Sequence, residues 1–103
     1  MSEIERSPED VARALADGSA TVVDVREPHE REEGFIAGSE HIPLGDLGAR
    51  AQEIARDRPV AFYCHVGARS LMAAEAFARA GYDAFSMAGG IEAWEAEGRP
   101  VAH

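Results

Sequence analysis

Short segments with strand character alternate along the chain with segments whose apolar residues recur at helical spacing. Residues 20–25 form an apolar run broken only at Asp24, Val60–Tyr63 form a second run, and Ala84–Met87 is a third predicted strand. Continuous apolar runs of this length are typical of strands covered on both faces, as in a parallel sheet. The alternation therefore predicts an α/β fold of three layers (α/β/α), with a mostly parallel central sheet and helices on both faces.

Residues that start and stop helices mark the segments between the strands. Ser7 is a predicted N-cap, Pro8 fits the first helical position, and Gly18 ends this first helix. The other predicted elements are a helix at 28–33 closed by Gly34, a strand at 40–42, a helix marked by Leu47, Ala51 and Ile54, a helix from Ser70 to Gly81, and a terminal helix at 91–97.

Length, composition and charge limit the classes of function. The 103 residues suit one domain, residues 1–103, and contain no apolar run long enough to span a bilayer. Residues 1–6 lack the basic and apolar regions of a secretory signal, so a cytoplasmic location and no membrane partner are expected. The net charge of -9 argues against nucleic acid as a partner, because the phosphate backbone would be repelled. The scattered histidines offer no pair at metal-ligand spacing, so neither a metal site nor a cofactor is expected.

The single cysteine, Cys64, is the candidate nucleophile. It directly follows the predicted strand Val60–Tyr63, Gly67 allows a sharp turn after it, and Ser70 is a predicted cap for the next helix. Backbone N–H groups and the positive end of the helix dipole would converge on the cysteine, stabilising a thiolate or a bound oxyanion without a metal. An inert buried cysteine is the alternative, and the strand–cysteine–glycine–helix order favours the nucleophile.

The loop after Cys64 is predicted to bind substrate. It consists of His65, Val66, Gly67, Ala68, Arg69 and Ser70. Arg69 offers a fixed cation and a fork of donors, which could hold the loop closed or face an anionic substrate. His65 is interpreted as a solvent-facing residue that tunes access rather than as the base of a cysteine–histidine pair, because neighbouring residues rarely bring the imidazole back onto the preceding sulfur.

Four motifs in order give the chain a resemblance to the rhodanese-like sulfurtransferases. Cys64, Gly67, Arg69 and Ser70 match the family loop Cys-x-x-Gly-x-Arg-Ser. Residues 23–27 resemble its Asp-x-Arg segment, residues 34–43 its Gly-His-Ile-x-Gly-Ala-x-His-Ile-Pro segment, and residues 87–94 its Gly-Gly-x-x-Ala-Trp ending. Phe35 replaces the usual His and Ser39 the usual Ala, and neither position belongs to the Cys64 loop.

The resemblance implies a single-domain rhodanese-like fold and a thiosulfate sulfurtransferase activity. Cys64 would take the outer sulfur of thiosulfate or a similar donor as a persulfide, the loop amides would surround its terminal sulfur, and cyanide or a thiol would accept it. A persulfide carrier or sensing module that serves a sulfur-relay protein is the alternative. A phosphatase or arsenate reductase is disfavoured, because the spacing from Cys64 to Arg69 is Cys-x4-Arg rather than Cys-x5-Arg.

Three further features lie near the predicted strand ends. Asp24 could anchor the loop through Arg69 or backbone amides while Arg26 lines the mouth of the site, or the two could form an ordinary strand-end ion pair. Gly89 and Gly90 are expected to permit a tight turn and close backbone approach beside the loop. The glutamate-rich residues 27–33 are a solvated helix face or a docking surface for a basic partner.

Overall fold

Five parallel strands form the central sheet in the computed structural model, which describes residues 4–103. Met1, Ser2 and Glu3 belong to the N-terminal segment that is expected to lack a secretory signal, and they lie outside the described residues. The strand order is β1-β5-β4-β2-β3, and every pairing is parallel. The strands are β1 (Glu5–Arg6), β2 (Thr21–Asp24), β3 (Glu40–His41), β4 (Val60–Tyr63) and β5 (Ala84–Met87).

Helices connect the strands and cover both faces of the sheet. They are α1 (Pro8–Asp17), α2 (Pro28–Glu33), α3 (Leu47–Arg50), α4 (Ala68–Arg79) and α5 (Gly90–Ala96). Among residues 4–103, none of these helices combines the length and apolarity needed to cross a bilayer. The predicted α/β fold with a parallel sheet between helices is confirmed.

The alternation of side chains along the strands divides the core between the two faces of the sheet. On one face, Val23 and Phe62 pack with Phe77 of α4, and Cys64 belongs to this cluster. On the other face, Val22 packs with Trp94 of α5. Because central strands are buried on both sides, their sequences are largely apolar rather than alternating, and this is why they could be recognised.

Several predicted element boundaries are confirmed. The side chain of Ser7 accepts a hydrogen bond from the Asp10 amide at 3.1 Å, and Gly18 ends α1 with φ 69°. Strands β4 and β5 and helix α2 have the predicted limits. These elements carry their own caps or a short, largely apolar run, so local sequence is sufficient to set them.

Other boundaries differ from the predictions. Strand β1 was not expected, because its two residues carry no alternation and pair only with β5. The predicted helix over 47–54 is broken: α3 has only four residues, and the 3-10 turns Leu44–Asp46 and Ala51–Glu53 flank it. Strand β3 ends at His41, one residue earlier than predicted.

The prediction that Ser70 caps α4 is wrong. The helix begins at Ala68 and its N-cap is Gly67, which has φ 110° and no side-chain cap bond. Ser70 therefore lies within the first turn and is fully buried. The positive φ of Gly67 lets the chain enter the helix sooner than a serine cap would, because a glycine adopts this conformation without steric cost. As a result the Ser70 side chain is directed to the residues beneath the loop.

Candidate active site

The carboxyl ends of β2, β4 and β5 meet at one edge of the sheet, where ligands bind in open parallel sheets. Cys64 follows the last residue of β4, Asp24 ends β2, and Gly89 and Gly90 follow β5. Residues distant in sequence are brought together at this edge, with the loop from Cys64 to α4 at its centre.

The Cys64 sulfur lies in a ring of hydrogen-bond donors. The Gly67 amide donates to Sγ at 3.1 Å and the Ser70 amide at 3.4 Å. The Ser70 hydroxyl also lies 3.4 Å from Sγ. Only 1% of the residue's surface is exposed, so bulk water contributes little to the solvation of the sulfur. Negative charge on Cys64 must therefore be stabilised by these donors.

Two opposing effects set the pKa of the Cys64 thiol. Burial is the larger single effect and raises the pKa, because it penalises the charged form. The hydrogen bonds from the Ser70 hydroxyl and from the amides of Ser70, Gly67 and Arg69 lower it, and together they prevail. The pKa therefore lies below that of an ordinary thiol, in the direction that nucleophilic chemistry requires.

The outer part of the loop faces solvent. Val66 is 55% exposed, and Ala68 and His65 are exposed as well. Within residues 4–103, the amides of Val66 and Ala68 donate no hydrogen bond, so they can receive a ligand that reaches the loop. The His65 ring lies 3.5 Å from Glu92 on α5. It makes no hydrogen bond to Cys64 in this part of the chain, consistent with a role other than general base.

Arg69 is held by Glu30, a residue that was not predicted from the sequence to belong to the site. Arg69 Nη1 and Nη2 donate to the two carboxylate oxygens of Glu30 at 2.7 and 2.8 Å. Glu30 also accepts from the Glu27 amide at 2.9 Å, as part of the capping box of α2. The hydrogen bonds from Arg69 lower the pKa of Glu30 to about 2, although burial opposes them. The pair links α2 to the loop and neutralises the Arg69 charge.

Asp24 and Arg26 form a buried ion pair at the end of β2. Arg26 Nε and Nη2 donate to the two Asp24 oxygens at 2.9 Å each. Arg31 approaches the same carboxylate at 3.4 Å. Of the two interpretations, the strand-end ion pair describes the contacts of Asp24, whereas an anchor through Arg69 is wrong, because Arg69 binds Glu30 instead. Arg26 also donates to the Gly34 carbonyl at 2.7 Å, which fixes the chain after α2.

The first turn of α5 holds the backbone of the Cys64 loop. The amide of Ile91 donates to the Cys64 carbonyl at 2.9 Å, and that of Glu92 donates to the His65 carbonyl at 3.0 Å. A Cβ atom at Gly90 would lie 2.3 Å from the His65 carbonyl oxygen and 2.6 Å from that of Cys64. The close approach expected at Gly89 and Gly90 is therefore present, and it requires glycine at position 90.

A cleft opens beside the loop, and its lining is rich in carboxylates. It is lined by Arg26, Glu30, Glu33, Gly34, His65, Ile91 and Glu95. Within residues 4–103, Glu33 and Glu95 have no ion-pair partner, whereas Arg26 is paired with Asp24. The local charge at the cleft is therefore negative. No three His, Cys, Asp or Glu side chains of the described part of the chain come together as a metal-binding group.

Comparisons with known proteins agree with these motifs. A family model described as the rhodanese-like domain matches residues 7–97. Thiosulfate sulfurtransferase GlpE of Pseudomonas fluorescens strain Pf0-1 is 39% identical over 95 residues, which are 91% of this chain and 87% of that protein. The uncharacterized protein YqhL of Bacillus subtilis is 41% identical over 76 residues, 73% of this chain but only 60% of YqhL.

Solved structures show the same fold. The crystal structure of a rhodanese-related protein from Thermoplasma volcanium superposes with a TM-score of 0.88 at 35% identity, covering 95% of this chain and 96% of that one. The match of the family model extends from α1 to the end of α5 and includes the whole loop after Cys64. The chain belongs to the rhodanese-like domain family.

Proposed function

We propose that the chain is a sulfurtransferase that moves a sulfane sulfur from thiosulfate or a similar donor, through a persulfide on Cys64, to cyanide or a thiol. Membership of the rhodanese-like family and relatives named as sulfurtransferases support sulfur transfer. The observation that carries the proposal is the convergence of the Gly67 and Ser70 donors on the Cys64 sulfur. Such donors favour the thiolate, which is the attacking species in this chemistry.

In the first step the Cys64 thiolate attacks the outer sulfur of the donor. With thiosulfate, a bond forms between Sγ and the outer sulfur, the sulfur–sulfur bond of the donor breaks, and sulfite leaves with the bonding electrons. Cys64 is then a persulfide anion, and the total charge is unchanged. The amides of Val66 and Ala68, which donate no hydrogen bond within residues 4–103, are available to the terminal sulfur, whose negative charge needs hydrogen-bond donors.

In the second step an acceptor removes the terminal sulfur. Cyanide or a thiolate attacks it, the sulfur–sulfur bond of the persulfide breaks, and its electrons return to Sγ as the thiolate. The products are thiocyanate or the persulfide of the acceptor, and the protein needs no external proton or electron carrier. We further propose a cytoplasmic location, because a persulfide-forming thiol is maintained in a reducing compartment.

Intact-mass measurement tests the proposal directly. The protein is incubated with thiosulfate, its mass is recorded, and the measurement is repeated after cyanide or a small thiol is added. We expect one sulfur atom to be gained and then lost, with thiocyanate formed when cyanide is the acceptor. Cys64→Ser should fold and gain no sulfur. Sulfur gain by the serine variant, or thiocyanate formation close to that of the unmodified protein, would contradict the proposed mechanism.

The negative cleft favours a second candidate, a persulfide carrier that receives sulfur from a protein. Thiosulfate is a dianion, and the unpaired carboxylates of Glu33 and Glu95 would repel it as it approaches the loop. The nearby cations are already paired, Arg26 with Asp24 and Arg69 with Glu30. A protein donor or acceptor with a basic surface would instead be attracted to this cleft.

Kinetics separate the two candidates. The variant Glu33→Gln/Glu95→Gln removes both unpaired carboxylates and retains side-chain size. If thiosulfate is the donor, the variant should load sulfur faster than the unmodified protein, and added salt should narrow the difference. If a protein is the donor, transfer from the persulfide of a cysteine desulfurase should exceed loading from thiosulfate and should slow in the variant. Glu75→Gln is the matched control, because Glu75 is an exposed residue of α4 that lies outside the cleft lining and has no ion-pair partner within residues 4–103.

A further inference from the structure

A second buried serine lies directly beneath the Cys64 loop. Ser86 is in the middle of β5, is fully buried, and has its Oγ 2.8 Å from the Oγ of Ser70. Its strand neighbours Phe85 and Met87 face the opposite side of the sheet and pack with the cluster that contains Trp94. A polar side chain at the centre of a buried strand requires a partner, and for Ser86 that partner is Ser70.

Counting the available hydrogens shows which of the two serine hydroxyls is the donor and which is the acceptor. A hydroxyl has one hydrogen to donate, and a thiolate can only accept. Ser70 Oγ has three neighbours: Sγ of Cys64 at 3.4 Å, the Gly67 carbonyl at 3.2 Å, and Ser86. The Gly67 carbonyl already accepts from the Leu71 amide at 3.0 Å. If Ser70 donated to Ser86, the thiolate would lose its hydroxyl donor.

The opposite direction satisfies every group when Cys64 is ionised. Ser86 donates to Ser70, and Ser70 is left with its own hydrogen for the sulfur. A hydroxyl that accepts a hydrogen bond is also a stronger donor, because hydrogen bonds in a chain polarise one another. Within residues 4–103, Ser86 Oγ has no side-chain partner other than Ser70, so its hydrogen has no competing acceptor side chain.

We propose that Ser86 is a positioning residue for the reaction at Cys64, and that its hydroxyl directs the Ser70 hydroxyl onto the sulfur and thereby favours the thiolate. The inference rests on the proposed function in one respect: sulfur transfer is the reaction in which the Cys64 thiolate would act. The ionisation of Cys64 is itself measurable without any sulfur donor.

The charged groups nearest the sulfur are paired with other charged groups, so stabilisation of the thiolate depends on hydrogen-bond donors such as the hydroxyls. Arg69 of α4 is the nearest cation, and its charge is neutralised by Glu30 of α2. His65 lies beside Glu92 of α5 rather than beside the sulfur. Strand β5 presents no ionisable side chain, and the end of β2 presents Asp24 and Arg26, which bind each other. Ser86→Ala therefore changes a hydrogen bond without changing any charge.

The test is a titration of Cys64, the only cysteine of the chain, by the ultraviolet absorbance of its thiolate, with Cys64→Ala as the blank. We expect Ser70→Ala to raise the pKa of Cys64 by about one unit, the lower end of the effect of one hydrogen bond to a charged group, and Ser86→Ala to raise it by about half as much, because Ser86 acts through Ser70. In the Ser70→Ala background, Ser86→Ala should produce no further shift, because Ser86 acts through Ser70.

Two further variants distinguish this role from a packing defect. Ser39→Ala removes a different buried hydroxyl, which bonds to Tyr63 and the Ile36 carbonyl, and should leave the pKa of Cys64 unchanged. Ser86→Thr keeps the hydroxyl and should retain the unmodified pKa. Thermal unfolding confirms that each variant is folded.

Three results would overturn the proposal. The first is an unchanged pKa of Cys64 in folded Ser86→Ala, and the second is an equal effect of Ser86→Ala on that pKa with Ser70 present and in the Ser70→Ala background. The third is a raised pKa of Cys64 in folded Ser86→Thr. Absence of sulfur loading in the unmodified protein would contradict the proposed function and leave these titrations unaffected.

Discussion

At the scale of single residues, the effect of the loop on the Cys64 sulfur comes from the positions of its hydrogen-bond donors more than from the net charge of its residues. Arg69 is the only cation of the loop, and its guanidinium is bound by both oxygens of Glu30. Its contribution to the potential at the sulfur is therefore largely cancelled, and its main effect is to fix α4 relative to α2. A planar fork with two parallel hydrogen bonds suits that role, whereas an ammonium group offers a single point of attachment.

Arg69→Lys should consequently recover little of the activity that Arg69→Ala loses. We expect both variants to load sulfur from thiosulfate about tenfold more slowly than the unmodified protein, since a loop displaced by a fraction of an ångström loses the alignment of its donors. Glu30→Gln should have a similar effect, because the amide can accept only one of the two bonds. The rates of sulfur loading in these variants are measured by intact mass. Full activity in Arg69→Lys would show that a positive charge alone is sufficient at position 69.

The reactivity of Cys64 should depend on pH with a midpoint below that of an ordinary thiol. Alkylation by iodoacetamide requires the thiolate, so its rate rises with pH through the pKa and is constant above it. The donors at Gly67 and Ser70 lower this pKa even though burial opposes them. The rate profile is compared with that of a cysteine peptide and of Ser70→Ala. Coincidence of the protein and peptide profiles would contradict activation by the loop.

At the scale of elements, three helices hold the loop in place. Helix α4 supplies the amides, α2 supplies Glu30, and the first turn of α5 donates to the carbonyls of Cys64 and His65. The loop backbone is therefore restrained on both sides of the sulfur. The contact with α5 is possible because Gly90 has no Cβ and adopts φ 61°.

Gly90→Ala should displace the loop and reduce sulfur transfer. Gly98 is the matched control, because it also has a positive φ of 75° but nothing lies within 4 Å of the position that a Cβ would take. Both substitutions should lower the free energy of unfolding by about 1 to 3 kcal/mol through backbone strain alone. Only Gly90→Ala should also slow sulfur loading. Equal loading rates in the two variants would show that the approach of α5 does not position the loop.

At the scale of the whole molecule, the number of residues in the loop decides which reaction it can accommodate. The segment from Cys64 to Arg69 contains four intervening residues, and the amides of Gly67 and of the following Ser70 already contact the sulfur itself. A tetrahedral phosphate needs donors for several oxygens and hence a wider ring. The net charge of -9 repels thiosulfate as well as phosphate, so the size of the loop, and not the charge of the protein, separates the two reactions.

The protein should therefore form thiocyanate from thiosulfate and cyanide but leave a chromogenic aryl phosphate intact. Both reactions are measured on one preparation, so that an inactive sample is not mistaken for a protein that transfers sulfur and rejects phosphate. Insertion of one glycine between Val66 and Gly67 should slow sulfur transfer, because it widens the ring around the sulfur. Phosphatase turnover without sulfur transfer in the unmodified protein would contradict the proposed function and leave the fold unaffected.

The sequence alone determines those parts of the protein whose signals are local. Helix α1 is specified by Ser7, Pro8 and Gly18, and β4 is specified by its continuous apolar residues. The position of Cys64 between a strand and a glycine follows from the same short segment. These features depend on contacts within a few residues, or on burial of a strand on both faces, and both leave a pattern in the sequence.

Only the tertiary structure decides which side chains meet around the sulfur. Glu30 and Arg69 are 39 residues apart, and Ser70 and Ser86 are 16 residues apart. Neither pair has a pattern of its own, because each contact arises where separate connections return to the same edge of the parallel sheet. Even the start of α4 depends on this packing. The sequence permits a cap at Ser70, but Gly67 takes that role in the folded chain, and the Ser70 hydroxyl is thereby buried beside Cys64 and Ser86.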